Sequence, residues 1–157
     1  MNHYKTKNLI FKNFKFWLLF QNGINIFESQ KLRRTYQIKS MVKLKRTYEV
    51  PVSEDGTRIL VERLWPRGLT REKAKIDIWL KEIAPSTELR KWYNHIPERW
   101  PEFQKRYRAE LSKKRDLTKE LKRQVDATNV TFVFAARDEN RNSAVVLRSF
   151  LEEEKNL

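Results

Sequence analysis

The pattern of hydrophobic and polar positions predicts alternating strands and helices, and its clearest stretch is residues 57–69. This stretch reads TRILVERLWPRGL. Apolar and β-branched residues at 59–61, with Leu64, predict a largely buried strand over 57–64. Pro66 has no N–H for a sheet and Gly68 permits a backbone conformation that other residues avoid, so a tight basic loop follows. Thr70 then suits the N-cap of a helix.

The apolar pattern predicts further strands and helices over the rest of the chain from residue 41 onward. Residues 42–50 predict a strand, and its simplest partner is the strand at 57–64 in an antiparallel pair. Apolar spacing predicts helices over residues 70–83, 88–94, 97–113, 115–127 and 143–154. The run VTFVFAA at 130–136 is typical of a strand in the centre of a sheet. The predicted class is α/β, a small sheet of about three or more strands flanked by helices, in the order β-β-α-α-α-α-β-α.

Two basic loops follow the strands at 57–64 and 130–136, and each loop feeds a helix. If these strands are parallel neighbours, with a right-handed crossover, both loops leave the same edge of the sheet. Ligands of α/β proteins bind beyond the carboxyl ends of the strands. We therefore expect a binding site formed by loops 63–68 and 137–142.

The side chains in these loops suit an anion. Guanidinium groups at positions 63, 67, 137 and 141 and two helix starts would bind phosphate or carboxylate. The alternative, given equal weight, is that Arg63 or Arg137 pairs internally with Asp138, Glu62 or a buried carbonyl. Trp65, beside Pro66, would line the pocket. The candidate ligand-binding residues are Arg63, Trp65, Arg67, Arg137 and Asn142.

A second constellation would support proton transfer. His95 lies at a predicted helix break, and Asp138, Glu139 and Asn142 follow the central strand, where a carboxylate would orient the imidazole. The candidate catalytic residues are thus His95 and Asp138. We favour the alternative in which His95 caps or packs a helix. No metal is expected, because His95, Asp138 and Glu139 lack ligand-like spacing.

Several aromatic residues interleaved with arginines and lysines would also suit stacking on nucleic-acid bases, although helical spacing favours core packing for Trp100, Phe103 and Tyr107. The full set is Trp65, Trp79, Trp92, Tyr93, Trp100, Phe103 and Tyr107.

Composition narrows the functions. The formal net charge of +14 favours anionic partners such as nucleic acid or phosphorylated small molecules, although a solvated basic surface explains it equally well. Three glycines cannot form a glycine-rich phosphate motif, and the absence of cysteine excludes thiolate chemistry. We expect no cofactor. Oligomeric state is open.

Residues 1–40 differ from the remainder, since they hold five of the nine phenylalanines and half of the net charge. We favour an upstream reading frame translated onto a gene that starts at Met41. The alternatives are an extra layer of the fold and, least favoured, a basic helix on a membrane surface. The apolar run at 17–20 is too short to span a membrane and lacks the features of a secretory signal, so we expect a cytoplasmic protein.

Several segments, taken in order, resemble one family. They are RLWPRG at 63–68, IAPSTELRKW at 83–92, H-x-P-x-R-W at 95–100, F-x-x-R-Y-x-x-E-L at 103–111 and AARDENRNSAVVL at 135–147. These segments, within residues 41–154, are similar to the DUF488 family in its YeaO-like branch. The resemblance implies a small α/β domain and brings no established reaction, substrate or catalytic residue.

Three functional hypotheses follow. The first is a domain that binds an anionic ligand at the two loops. The second is an enzyme acting on such a ligand, with His95 and Asp138 as acid–base groups. The third is a nucleic-acid binder that acts mainly through net charge and shows little sequence preference.

Overall fold

The computed structural model describes residues 42–153, and their centre is a four-stranded sheet. The strands are β1 (Lys43–Arg46), β2 (Thr57–Leu60), β3 (Ile78–Trp79) and β4 (Val130–Phe134). Their order across the sheet is β1-β4-β2-β3, and every pair is parallel. The helices are α1 (Arg71–Ala74), α2 (Thr87–Tyr93), α3 (Trp100–Lys113), α4 (Arg115–Ala127) and α5 (Ser143–Glu153). The predicted α/β class is confirmed.

The last strand in the chain is the central one. All five residues of β4 are buried, as a continuous apolar run favours. Phe132 lies in register with Leu44 of β1 and with Ile59 of β2. The predicted parallel pairing of the strands at 57–64 and 130–136 is confirmed. The predicted antiparallel pairing of the first two strands is wrong, because β4 lies between them.

The predicted helix over residues 70–83 is also wrong. Thr70 caps α1 as expected, since its side chain accepts a hydrogen bond from the Lys73 N–H, but α1 ends at Ala74. The Arg58 guanidinium binds the Ala74 and Lys75 carbonyls, and Lys75 has a left-handed backbone with φ of 44°. The Asp77 carboxylate accepts from the Arg58 N–H at 2.8 Å, which aligns the next residues as β3.

The remaining helices follow the prediction closely. Ser86 caps α2 by accepting a hydrogen bond from the Leu89 N–H. Pro97 begins a 3-10 turn, Pro97–Arg99, which continues directly into α3. Helix α5 packs against β4 and α3, and α3 also packs against α2 and α4. The predicted strand at 42–50 is shorter, because a turn begins at Thr47.

A buried ion-pair cluster joins β1 to β2. The Asp55 carboxylate, 4% exposed, accepts hydrogen bonds from the Arg58 guanidinium at 2.5 Å and from Lys45 Nζ at 3.1 Å. The Asp55 carbonyl accepts from the Thr131 hydroxyl at 2.7 Å, so the cluster also contacts β4. Burial raises the pKa of Asp55, but the hydrogen bonds from Lys45, the Val52 N–H and Arg58 outweigh it and leave the pKa below its ordinary value.

No helix among residues 42–153 is long and apolar enough to cross a membrane. The predictions made for residues 1–40 lie outside the described residues.

Candidate functional site

The two basic loops lie at one edge of the sheet. Because β2 and β4 are parallel neighbours, residues 61–69 and 135–142 both follow carboxyl ends at that edge. The turn after β1 joins them there, since β1 is parallel to β4 on its other side. We call residues 46–49, 61–69 and 135–142 the carboxyl-edge loops.

Side chains of β1 and its turn connect these loops. Arg46 Nε donates to the Ala136 carbonyl at 3.0 Å, which fixes β1 to the loop after β4. The Tyr48 hydroxyl donates to the Arg67 carbonyl at 3.3 Å, which fixes the turn to the loop after β2. The Arg46 guanidinium lies over the Tyr48 ring, 5.7 Å from its centre. The loops carrying Arg67 and Arg137 are therefore joined by a short chain of contacts.

The four candidate arginines divide into two groups. Arg63 donates to the Pro85 carbonyl at 2.8 Å and the Ala84 carbonyl at 3.2 Å, which holds the turn before α2. Arg141 pairs with Asp138 at 2.6 Å. By contrast, the exposed guanidinium groups of Arg67 and Arg137 have no hydrogen-bond or ion-pair partner within residues 42–153. The internal alternative thus holds for Arg63, which binds two carbonyls, but not for Arg137. The guanidinium groups of Arg67 and Arg137 stay available.

Trp65 is held rigidly in its loop. Its indole N–H donates to the Leu69 carbonyl at 2.7 Å, and its ring meets Trp79 edge to face with centres 5.4 Å apart. The Arg71 guanidinium lies 5.8 Å from the same ring. Gly68 follows with φ of 74° and open space where a side chain would be. Arg67 therefore lies between Trp65, whose ring is fixed, and Gly68, which has open space beside its backbone.

Asn142 is occupied within the second loop. Its side chain is buried, and its amide nitrogen donates to the Asp138 carbonyl at 2.9 Å and the Glu139 carbonyl at 3.0 Å. Its amide oxygen accepts from the Val145 N–H at 3.2 Å, within the first turn of α5. The residue therefore shapes the loop and caps the helix.

Asp138 has a similar role in that loop. Its carboxylate accepts from the N–H groups of Asn140 and Arg141 and from Arg141 Nε. The hydrogen bond from the Arg141 side chain is the largest cause that lowers the pKa of Asp138. Glu139, beside it, is exposed.

His95 is exposed at the end of α2. It follows Asn94, and both have left-handed backbones, with φ of 55° and 43° respectively. The imidazole lies 5.4 Å from the Tyr93 ring, and the Tyr93 hydroxyl donates to the Arg141 carbonyl at 3.0 Å. Burial, followed by the charge of Asp138, raises the pKa of Tyr93. Tyr93 thus connects the end of α2, where His95 lies, to the second loop.

Sequence reasoning considered the carboxylate of Glu62 only as an alternative internal partner of Arg63 or Arg137, and the structure gives it a different partner. Glu62 follows the buried end of β2, and its Oε1 accepts from the Ala135 N–H at 3.2 Å. The Glu62 carbonyl accepts from the Trp79 indole N–H at 2.7 Å. Burial raises the pKa of Glu62, and a lesser opposing effect comes from the charge of Arg90. Glutamate directly after an apolar strand was the available signal.

Arg90, on α2, completes this arrangement. Its Nε is buried and has no hydrogen-bond partner, and no side-chain hydrogen bond of Arg90 reaches any described residue. Its charge acts on Glu62 without an ion pair between them. An unpartnered buried donor is uncommon in folded proteins.

Two other features of the described residues lie apart from these loops. A hollow of about 270 Å³ is lined by Ser112, Arg115, Thr118 and Lys119, none of which belongs to the carboxyl-edge loops. Within residues 42–153, no three histidine or acidic side chains are grouped as a metal site would require.

The fold and this edge define the class, a small parallel α/β domain with a basic carboxyl edge. The chain belongs to the DUF488 family. A sequence model of this family, described as the inactive DUF488-N3 subclade, matches residues 41–156. The chain is 42% identical to the uncharacterized protein Rv3073c of Mycobacterium tuberculosis, over 72% of this chain and 95% of that protein. It is 37% identical to the uncharacterized protein YeaO of Escherichia coli, over 70% of this chain and 96% of that protein. No solved structure matches the chain.

Proposed function

We propose that this protein is a non-catalytic domain that binds a phosphate-bearing ligand, a small molecule or a nucleic acid, at its carboxyl-edge loops. One observation carries the proposal. Arg67 and Arg137 are exposed and have no partner within residues 42–153, whereas Arg63 and Arg141 are engaged. Arg67 and Arg137 would hold the phosphate, and Trp65 would line the site.

The physical basis is the strength of guanidinium–phosphate contacts. Hydrogen bonds between charged groups are roughly twice as strong as neutral ones, and a planar guanidinium donates two of them in parallel. A partnerless guanidinium gives up no internal pair when it binds an anion. The contacts from Arg46 and Tyr48 hold both loops in place before binding, which reduces the ordering cost.

Binding is favoured over turnover for two reasons. The matching family model is described as inactive. In addition, the Asp138 carboxylate accepts three hydrogen bonds within its own loop and has a lowered pKa, so it suits a structural role better than proton transfer. His95 and Asp138 remain the residues to test for the enzyme hypothesis. Phosphate-ester turnover that Asp138→Asn abolishes would establish it.

Calorimetric titration of the full chain with ribose 5-phosphate tests the binding proposal. Arg67→Ala and Arg137→Ala should each weaken binding about tenfold, the loss expected for one charged hydrogen-bonded contact. Arg123→Ala is the matched control. It removes the same charge from an exposed position on α4, where Arg123 pairs with Glu120. Arg123→Ala should leave the affinity unchanged.

Nucleic-acid binding through net charge predicts a different outcome. Binding of a single-stranded oligonucleotide would then fall steeply with salt, and all three arginine variants would weaken it equally. Equal effects of Arg67→Ala and Arg123→Ala would reject a site at the carboxyl-edge loops. Melting temperatures of the variants should stay close to that of the wild type, since Arg67 and Arg137 are exposed.

A further inference from the structure

A hollow beside α4 has positive charge on its wall that no described residue neutralises. It has a volume of about 270 Å³ and is lined by Ser112 of α3 and by Arg115, Thr118 and Lys119 of α4. Two of these four residues are cationic and none is acidic. None of them belongs to the carboxyl-edge loops, so the hollow is distinct from the site of the proposed function.

The four basic residues of α4 divide into two that have a partner and two that have none. Lys122 and Arg123 each pair with an acidic residue of the same helix, at 2.6 Å and 2.7 Å respectively. By contrast, the exposed side chains of Arg115 and Lys119 make no hydrogen bond or ion pair with any residue of 42–153. The two cations without a partner are the two that line the hollow.

Helical spacing brings these two cations together. Residues four positions apart lie on the same face of a helix, with about 5–6 Å between their Cβ atoms, so the charges of Arg115 and Lys119 repel each other. Asp116 is the one acidic residue three or four positions from Lys119, yet no ion pair joins them in the described structure. Two like charges on a concave wall concentrate positive potential, which attracts an anion.

The hydroxyl groups in the hollow shape its wall. The hydroxyl of Thr118, a residue only 1% exposed, donates to the Arg115 carbonyl at 3.0 Å. The Ser112 hydroxyl donates to the Arg108 carbonyl, also at 3.0 Å. Both hydroxyl hydrogens are used in these bonds, so the side-chain donors left for a ligand are those of Arg115 and Lys119.

We propose that this hollow is a second anion site, which binds a diphosphate group with Arg115 on one phosphate and Lys119 on the other. The volume of the hollow is below that of pockets for drug-sized ligands, which favours a small group. A guanidinium binds phosphate through two parallel hydrogen bonds, and an ammonium binds it as a point charge. The two cations therefore suit two neighbouring phosphates, and the bound group removes their mutual repulsion.

Nuclear magnetic resonance of the isotope-labelled full chain tests the proposal residue by residue. Titration with inorganic diphosphate at constant ionic strength should shift the backbone amide signals of residues 112–119 and reach saturation. Arg115→Ala and Lys119→Ala should each weaken this binding about tenfold, the effect of one hydrogen bond between charged groups. Lys122→Ala is the matched control, because it removes the same charge from the same helix at a position paired with Asp126. It should leave the affinity unchanged.

Two further anions define the ligand. Inorganic phosphate should bind at residues 112–119 more weakly than diphosphate, since it contacts the two cations with a single phosphate. Adenosine 5′-diphosphate distinguishes a free diphosphate from one that is part of a larger molecule. Tighter binding of the nucleotide than of the inorganic ion would assign the group to a larger molecule, and weaker binding would assign it to the free ion.

Each contrary result overturns the inference. Shifts confined to the carboxyl-edge loops, or no saturable shift at residues 112–119, would exclude the hollow as a site. Equal weakening by Lys122→Ala and Arg115→Ala would show that net charge alone attracts the anion, and equal affinity for phosphate and diphosphate would reject the two-phosphate ligand. Arg67→Ala should leave the shifts at residues 112–119 unchanged, so failure of either site is distinguishable from failure of the other. The wild-type titration needs no variant, so it decides even if a variant does not fold.

Discussion

Replacement of Gly56 by alanine should be among the most destabilising single changes in the described part of the chain. Gly56 joins the Asp55 cluster to β2, and its backbone has φ of 62° and ψ of −137°, a region that only glycine adopts easily. A Cβ added there would lie 2.3 Å from the Asn129 carbonyl oxygen and 2.8 Å from Asn129 Cβ. Both distances are far below van der Waals contact.

The cost has two parts. The backbone conformation alone costs an alanine about 1–3 kcal/mol. The overlap forces β2 and Asn129 apart, which weakens the 2.9 Å hydrogen bond from the Thr57 N–H to the Asn129 carbonyl and adds about 1–2 kcal/mol. We expect Gly56→Ala to lower the free energy of unfolding by about 2–5 kcal/mol. The melting temperature should fall by about 6–15 °C, at roughly 3 °C for each kcal/mol in a chain of this length.

Gly68→Ala separates the two parts of this cost. Gly68 also has a positive φ, 74°, but no atom lies within 4 Å of the position its Cβ would take. This variant should lose only about 1–2 kcal/mol. Both proteins would be unfolded in urea and by heat, with circular dichroism as the readout. Equal losses in the two variants would refute the assigned contact between Gly56 and Asn129.

Three further changes test other parts of the structure. Asp55→Asn should cost about 3–5 kcal/mol in urea unfolding, because the buried Arg58 guanidinium loses its counter-charge; a loss below about 1 kcal/mol contradicts this role. The raised pKa of Glu62 means that the folded protein binds its proton more tightly than the unfolded chain, so stability falls as pH rises through that pKa. Glu62→Gln should therefore have a higher melting temperature than the wild type at about pH 8, and the two melting temperatures should converge near pH 4. A difference that does not change with pH would show that the charge of Glu62 does not destabilise the folded protein. Asn142→Ala should cost about 2–3 kcal/mol, since the loop loses two donated hydrogen bonds and α5 loses its cap; an unchanged melting temperature would show that these bonds do not matter.

Local sequence signals were sufficient for most of the fold. The apolar run of β4 and the spacing of apolar residues in α3 and α4 predicted those elements nearly to the residue. β3 was missed because its two residues, Ile78 and Trp79, also fit the helical spacing of the preceding segment. What separates them from a helix is distant in sequence, the hydrogen bonds that Arg58 makes to α1 and Asp77. Tertiary contacts here override local preference.

The candidate site was predictable only as far as the edge of the sheet. The sequence indicates which arginines follow which strands, but the partners of Arg63 are carbonyls more than twenty positions away. Whether a guanidinium is free or engaged depends on such contacts. The partner of Glu62 was not predictable for the same reason, since its environment depends on Ala135 and Arg90 from other elements.

The position of β4 has a consequence for how the protein is made. Within the described residues, β1 pairs only with β4, and β2 reaches β1 only through it. A ribosome synthesises β1 and β2 long before Val130 exists. Until then, β1 and β2 lack the strand that lies between them and pairs with both, and loop-closure entropy opposes their ordering. Truncation anywhere before residue 134 should thus give an incompletely assembled polypeptide, and an emerging chain would need protection from aggregation until its final third is complete.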